Sequence, residues 1–421
     1  MGNCGMKKEE MTKSLPISKQ MVWKSYQQVK TNGGGSGIDG ETIKGFDKDM
    51  SKNLYKLWNR LSSGSYFPPA VKTVLIPKKQ GGTRPLGIPT VRDRIAQGVL
   101  KAYLEPQLEP KFLPSSYGYR PNKNAHQAVA SCQQGCRDKA WVLDIDIKGF
   151  FDNLSHELLM GMLSMLSEHT SEKWILMYVE RWLKAGVEQQ DGSILGRTKG
   201  TPQGGVISPL LANLYLHHAL DTWLQTNYPK VTFERYADDA VIHCQSEEEA
   251  KGLRAALEQR LADYALELHP TKTKIVFCKD YRRNGKGEHR SFTFLGFSFQ
   301  PKMLKSKLPG MFLGFKAVIS QDSKENIRTS IKDVINYRHL KMDMEQFAVK
   351  LNSKVRGWIN YYCKVEPWGL SDVLRYSDVL LVKWIKNKFR IRSKKAATKK
   401  FVAIYTEQPT LFHHWKFGIR T

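Results

Sequence analysis

The sequence holds little that would tie it to a membrane or a secretory route. No apolar run approaches the roughly 20 residues that span a bilayer, which excludes a membrane-spanning helix. Cysteine is scarce: 6 in 421 residues, at Cys4, Cys132, Cys136, Cys244, Cys278 and Cys363. These positions form no secreted disulfide framework. Cys132 and Cys136 share one helical turn, but no second Cys or His pair follows at zinc spacing, so no zinc site is expected. All are read as reduced thiols of a cytoplasmic protein. The opening Met1-Gly-Asn-Cys-Gly-Met6 superficially suggests myristoylation. Met6 stands where that signal needs Ser or Thr, and no secretory or transit pattern follows, so no lipid anchor is expected. Acidic residues are also few: 40 Asp plus Glu against 66 Lys plus Arg, a formal net charge of +26 and a pI near 9.7. This balance says nothing about the fold but favours a polyanionic partner.

The length predicts two or three domains, and the 41% hydrophobic fraction is ordinary for a globular chain. The charge is uneven. Residues 301–421 carry 25 basic against 9 acidic side chains, and Lys383 to Lys400 contains no acid at all. Trp368, Trp384, Phe389 and Phe401 interleave with this charge. Rings that stack on bases beside cations that hold phosphates make a nucleic-acid face; a solubilising surface is the plainer alternative. Arg356, Lys383, Lys386, Arg390, Lys394 and Lys395 are the candidate contacts.

Coarse structure follows from periodicity. Residues 1–60 read as polar helices broken by the glycine-rich loop Asn32–Gly37. Val71–Ile76 and Arg84–Ile88 read as a hairpin, and residues 92–112 as an amphipathic helix. Trp141–Ile147 reads as a strand followed by a helix through Leu166. Phe233–Tyr236 and Ala240–Cys244 read as strands, Leu253 to Leu268 as a helix, and Lys274–Cys278 and Phe292–Phe299 as late strands. Beyond about residue 305 the pattern is mostly helical and increasingly basic.

Two acidic clusters interrupt apolar strands. In Trp141–Ile147, alternation puts Asp144 and Asp146 on one face with Val142, and Leu143, Ile145 and Ile147 on the other. The second cluster, Tyr236-Ala-Asp-Asp239, sits at the tip of a hairpin. Each alone reads as solvated surface or a turn pair. Together they suit nucleotidyl transfer. Two metals about 3.5–4 Å apart activate the attacking oxygen and stabilise the leaving one, and carboxylates from neighbouring strands can hold them. Hard cations such as Mg²⁺ take these oxygen ligands.

An ordered series of blocks resembles reverse transcriptases, and among them the group II intron-encoded reverse transcriptase–maturases of bacteria. The blocks are Gly37-Ile-Asp-Gly40; Ile76-Pro-Lys-Lys through Arg84-Pro-Leu-Gly-Ile-Pro89; Ser116-Tyr-Gly-Tyr-Arg-Pro121; and Asp144 to Asp152. They continue as Gly200-Thr-Pro-Gln-Gly-Gly205 with Ser208 to Asn213, Tyr236 to Asp239, Phe294-Leu-Gly-Phe297 and Gly357-Trp-Ile-Asn-Tyr-Tyr362, which looks like the maturase motif. The resemblance implies an α+β fold: a right-hand polymerase with fingers and an antiparallel-sheet palm, then an α-helical thumb and maturase domain. It implies an N-terminal extension over 1–60, fingers and palm over 61–304, and thumb and maturase over 305–421 with a basic C-terminal tail.

By the same resemblance, Asp146, Asp238 and Asp239 are the ligands of two Mg²⁺ ions. Asp146 is preferred to Asp144 because Phe151, five residues on, takes the steric-gate position that excludes a 2′-OH; core packing is the alternative for that ring. Asp144 is expected to hydrogen-bond locally. Lys78 and Arg84 would clamp the incoming triphosphate, or else sit on a solvated hairpin. Gln203 and Gly204 would contact template and nucleotide, or else shape a tight turn. Lys272, in His269-Pro-Thr-Lys-Thr273, would protonate departing pyrophosphate, or else be a surface lysine. The family's tripeptide begins with Asn where His269 stands, which puts that loop's hydrogen bonding in question. Trp358, Tyr361 and Tyr362 read as core rather than as a stacking surface.

The implied activity is RNA-directed DNA synthesis with intron maturation and retrohoming. The implied partners are a group II intron RNA, target DNA and its primer, and deoxynucleoside triphosphates, in a bacterial cytoplasm and away from membranes. No cysteine pairs of the zinc-binding endonuclease module are present, so second-strand cutting by this chain is not expected. A domesticated enzyme of host repair or defence and a non-catalytic splicing cofactor are the rival readings.

Overall fold

The computed structural model describes residues 15–77, 82–166, 172–189, 191–305 and 310–419. Lys78 and the opening Met1–Met6 lie outside these residues. The described chain begins with helices α1 (Lys19–Asn32), α2 (Ile43–Lys48) and α3 (Met50–Ser62). Ser18 and Thr42 cap the first two, accepting from the N–H groups of Met21 and Gly45 that a helix start leaves unpaired. α1 stops at Gly33, whose φ of 69° favours glycine. Val22, Tyr26, Phe46, Leu57 and Leu61 are buried in the same core as the middle of the chain, so the N-terminal helices are packed into the body.

β1 (Lys72–Pro77) and β2 (Thr83–Ile88) form the expected hairpin, with Ile76 opposite Arg84. The chain continues through α4 (Val91–Leu108) and α5 (Ala125–Asp138), then β3 (Trp141–Ile145), α6 (Phe150–Asn153), α7 (His156–Leu166) and α8 (Lys173–Lys184). A short pair, β4 (Val187–Glu188) and β5 (Ile194–Leu195), precedes α9 (Ser208–Leu216) and α10 (Thr222–Asn227). β6 (Thr232–Tyr236), β7 (Asp239–Cys244), α11 (Glu247–Asp263) and β8 (Lys274–Phe277) complete the central unit.

β3, β6, β7 and β8 make an antiparallel sheet in the order β6–β7–β3–β8. Alternation divides its side chains between two cores, as the sequence pattern implies. Leu143, Ile145 and Ile242 face the core that holds the N-terminal helices, while Val142, Val241 and Val276 face a second core. Two boundaries differ from expectation. The strand stops at Ile145, and Ile147 makes only an isolated bridge to Leu268. The helix expected through Leu268 ends at Asp263, because Ala265 turns left-handed at φ 53° and sends the chain back toward Ile147.

Phe292–Phe299 is two strands rather than one. β9 (Phe292–Phe294) and β10 (Phe297–Lys305) are separated by Leu295 and Gly296 at φ 50° and 79°, a turn no continuous strand permits. β10 then pairs with β11 (Met311–Ile319), a strand in the stretch expected to be helical. A boundary at residue 305 would cut this hairpin. Helices α12 (Gln321–Val334), α13 (Met344–Tyr362), α14 (Ser371–Lys388) and α15 (Lys394–Glu407) follow. Ile331, Phe347, Leu351, Leu381 and Ile385 carry their inner faces into the second core with β9–β11 and α5. The chain is α+β, as expected. Among the described residues no helix is long and apolar enough to cross a membrane.

Candidate active site

Tyr236 pairs with Asp239 at the end of the β6–β7 hairpin, which leaves Ala237 and Asp238 as its turn. β7 also pairs with β3, so the turn lies beside Asp146, the residue after Ile145. Asp146, Asp238 and Asp239 thus reach one end of the sheet, and each of the last two is acted on by the charge of Asp146. The backbone holds Asp146 in place: its carbonyl accepts from His269 N at 2.7 Å, and its N–H donates to Thr273 Oγ1 at 3.4 Å. His269 therefore keeps a backbone hydrogen bond in the loop where its identity was in question. Lys272 Nζ stands 3.5 Å from Asp146 Oδ2, so all the candidate catalytic groups meet.

Burial, and then their neighbours' charge, shifts Asp238, Asp239 and Asp144. Burial, then the charge of Asp146, raises the Asp238 carboxyl above its ordinary range. Asp239 is open to solvent along one side, yet the protein around it, and then Asp238 and Asp146, push it up to about 6 against the pull of Lys272. Asp144 is pushed to about 8, by burial first and Asp239 second. Its expected local hydrogen bond is not found among the described residues. Its cross-strand neighbours are Val241 and Lys274, and neither side chain donates one to it.

An all-oxygen donor set under mutual repulsion fits a hard divalent cation, which would relieve that repulsion. The carboxylates face one another without closing on a single point. Among the described residues, the only three ligand-type atoms all within 4.8 Å of one another belong to Cys132, Glu234 and His243. Cys132 belongs to the second core, and Glu234 is engaged on both oxygens: His243 Nε2 and Glu234 Oε2 are 2.7 Å apart, and Ser131 Oγ donates to Glu234 Oε1 at 2.8 Å.

The loop from Gly200 to Ile207 joins this site to the β1–β2 hairpin. Gly87 N of β2 donates to Gln203 O at 2.9 Å. Gly204 has φ 128°, and a Cβ there would stand 2.3 Å from Gly87 O, so only glycine allows the loop to dock on β2. Phe151 is half-buried and edge-on to Phe150 at 5.3 Å, while its carbonyl accepts from Thr201 N at 2.8 Å. Arg84 is exposed on β2. Tyr119 ties it to the acids: the packed protein and then Asp238 raise its phenol, and Arg84 pulls the other way. Tyr119 carries no role in the sequence reading, although it lies in one of the matching blocks and takes a left-handed φ of 57°.

The basic candidates Arg356, Lys383, Lys386, Arg390, Lys394 and Lys395 are all exposed. The interleaved aromatics divide. Trp384 and Phe401 are each only 2% exposed and belong to the second core, so they cannot stack on bases. Helical period explains it: Leu381, Trp384 and Ile385 share the inner face of α14, and Lys383 and Lys386 the outer. Trp368 and Phe389 remain exposed, with Lys400 Nζ 4.0 Å from the centre of the Phe389 ring. Trp358, Tyr361 and Tyr362 are half-buried. Tyr361 donates to Leu295 O at 2.8 Å, and both tyrosine rings pack on Phe297, consistent with the core reading.

Comparison with known proteins places two stretches of the chain in known families. Residues 76–299 match the family described as reverse transcriptase (RNA-dependent DNA polymerase), and residues 324–402 match the group II intron, maturase-specific domain. The group II intron-encoded protein LtrA of Lactococcus lactis subsp. cremoris is 34% identical over 220 residues, covering 52% of this chain and 35% of that protein. Protein YkfC of Escherichia coli (strain K12) is 32% identical over 284 residues, covering 58% of this chain and 73% of that protein. The chain therefore aligns with about a third of LtrA's length. A solved telomerase from Candida albicans, in complex with a telomeric RNA fragment, overlaps 89% of this chain and 67% of its own at 12% identity and a TM-score of 0.46. That likeness is too loose to bear on the site. The segment that holds Asp146, Asp238 and Asp239 is the one the polymerase family matches, and on that ground the chain belongs to the reverse transcriptase family, followed by a group II intron maturase-specific domain.

Proposed function

We propose that this chain is an RNA-directed DNA polymerase that also binds a group II intron RNA, assists its splicing and copies it into DNA during retrohoming. The observation that carries the reading is the meeting of Asp146, Asp238 and Asp239 at one end of an antiparallel sheet, with Lys272 3.5 Å from Asp146. Asp146, Asp238 and Asp239 would hold two Mg²⁺ ions, which when bound activate the primer 3′ oxygen and stabilise the leaving oxygen. Lys272 is placed to give a proton to departing pyrophosphate. Arg84 would hold the triphosphate bidentately, with Lys78, which lies outside the described residues, as a second cation. Phe151 would crowd a ribose 2′-OH, and the Gln203–Gly204 loop would align template and nucleotide against β2. Arg356 and the exposed cations of α14 and α15 would hold RNA phosphates.

In this reading residues 1–60 are an N-terminal extension, fingers and palm run from residue 61 to about 304, and the thumb and maturase region follows to 421, with the β10–β11 hairpin straddling the passage between them. Target DNA, its primer and deoxynucleoside triphosphates are the further partners. A bacterial cytoplasm is the setting that the free thiols and the bacterial relatives favour. Extension of a DNA primer annealed to RNA tests the proposal. Purified protein in Mg²⁺ should add deoxynucleotides to the 3′ end. Binding of intron RNA without any extension would instead mark a non-catalytic splicing cofactor.

A further inference from the structure

A buried arginine, unused in the proposed chemistry, holds the turn that bears Asp238 from behind. Arg235 is 0% exposed. Its Nε and Nη2 donate to Asp221 Oδ1 and Oδ2 at 2.7 and 2.6 Å, a bidentate pair with both side chains fully buried. Its Nη1 donates to Asn213 Oδ1 and to the Ala237 carbonyl, each at 2.9 Å. Asn213 Nδ2 donates in turn to Gly118 O at 2.7 Å, and a Cβ on Gly118 would stand 2.3 Å from Ala237 N. Asp221 reaches Arg235 from a π-helical turn, His217–Asp221, set between α9 and α10. Such turns interrupt a helix at a cost and recur at functional sites.

What Arg235 holds is the peptide that joins Ala237 to Asp238. Ala237 has φ 58°, a conformation that a residue with a side chain keeps only when its surroundings enforce it. A peptide is planar, so the direction of the Ala237 carbonyl fixes the adjoining bonds of Asp238. We propose that Arg235, clamped by Asp221 and Asn213, is a positioning residue that sets the direction in which Asp238 presents its carboxylate to the metal. The inference rests on the polymerase reading above.

The pair must be removed without stranding a buried charge, which by itself would unfold much of the gain. The double substitution Arg235→Met with Asp221→Leu does so. It should still unfold cooperatively, at a thermal midpoint lowered only by the loss of a donor to Asn213 Oδ1 and Ala237 O. Its kcat for primer extension should fall about tenfold or more, while KM for nucleotide stays within about threefold. Mn²⁺ affinity of the protein with bound primer–template, read from the free-ion electron spin resonance signal, should weaken about tenfold, the usual loss when a group behind a metal ligand is removed. A folded double variant with wild-type kcat and Mn²⁺ affinity would show that the ion pair serves folding alone. Should the double variant not fold, Asn213→Ser decides, since it keeps the ion pair and loosens Nη1 together with the Gly118 carbonyl that Asn213 Nδ2 holds. It should lose about threefold in kcat and in Mn²⁺ affinity at an unchanged thermal midpoint, and no change in either would overturn the inference. The Mn²⁺ titration requires no turnover. A wild-type protein that binds Mn²⁺ yet extends nothing would refute the polymerase reading and still leave the role of Arg235 measurable.

Discussion

At the end of the central sheet Asp146, Asp238 and Asp239 come together, and burial, with the neighbouring acidic charge, raises the affinity of Asp238 and Asp239 for protons. On α14, α15 and the turn between them, Lys383, Lys386, Arg390, Lys394 and Lys395 are spread out and open to water. The first region fixes a few charges by backbone geometry: a hairpin turn, a hydrogen bond from His269 N, and a buried guanidinium behind. The second leaves these five cations in water and lets their spacing along the helices carry them. Under the proposed function the contrast follows from the task. Chemistry on one phosphorus needs each ligand in place. Holding a polyanion needs many cations, each contributing a small and similar share. Loss of a single group should therefore be severe at the sheet and graded on the helices.

The largest effect is expected from Asp238→Asn. Primer extension should fall by more than about a hundredfold, because groups one step further from a metal already cost that much. RNA affinity should persist. Near-normal extension in Mg²⁺ would remove Asp238 from the site.

Next comes pH. Asp239 sits at about 6 instead of the ordinary 3.8, so the folded protein takes up a proton in that window that the unfolded chain does not. Without metal, this group therefore favours the fold more as pH falls through 6, and less as it rises. A bound cation needs the ionised form and reverses the preference. Mn²⁺ affinity should drop about tenfold from pH 7 to pH 5, with the thermal shift that Mn²⁺ confers shrinking in parallel. A flat profile would mean that Asp239 is not a ligand.

Phe151→Ala should be milder. Its ring is half-buried and held edge-on to Phe150, so it can serve both packing and the gate. Discrimination against ribonucleotides should fall about tenfold, within what a lost pocket contact is worth. Unchanged discrimination would make the ring a packing residue.

How far this was legible differs between the two regions. The two acidic clusters were readable because acids inside apolar strands are conspicuous, and the alternation of Val142 and Leu143 assigns the faces; which carboxylates serve as ligands came only with the family resemblance. Arg235, Asp221 and Asn213 were not, because they are remote in sequence and a π-helical turn leaves no period to find. Trp384 and Phe401 misled because interleaving along the chain says nothing of which helix face a ring takes. β11 was hidden since Met311–Ile319 is apolar at nearly every position and shows no clean alternation. The cluster of Cys132, Glu234 and His243 was equally invisible, assembled as it is from α5, β6 and β7.

The smallest effect on catalysis should come from changing Lys394, Lys395, Lys399 and Lys400 together to Gln. Log affinity for RNA falls with log salt by roughly 0.7 to 0.9 per phosphate contact, so the slope should flatten by up to about 3. Extension of a short primer–template at saturating protein should hardly change.

The separation of these two regions is tested most directly by measuring RNA affinity across a salt series and single-turnover extension on the same preparations of wild type, Asp238→Asn and the fourfold Lys→Gln variant. The first variant should lose extension and keep the wild-type salt slope; the second should keep extension and lose slope. If Asp238→Asn also weakens RNA binding, or if the lysine variant stops extending at saturation, the two regions are not the independent sites described.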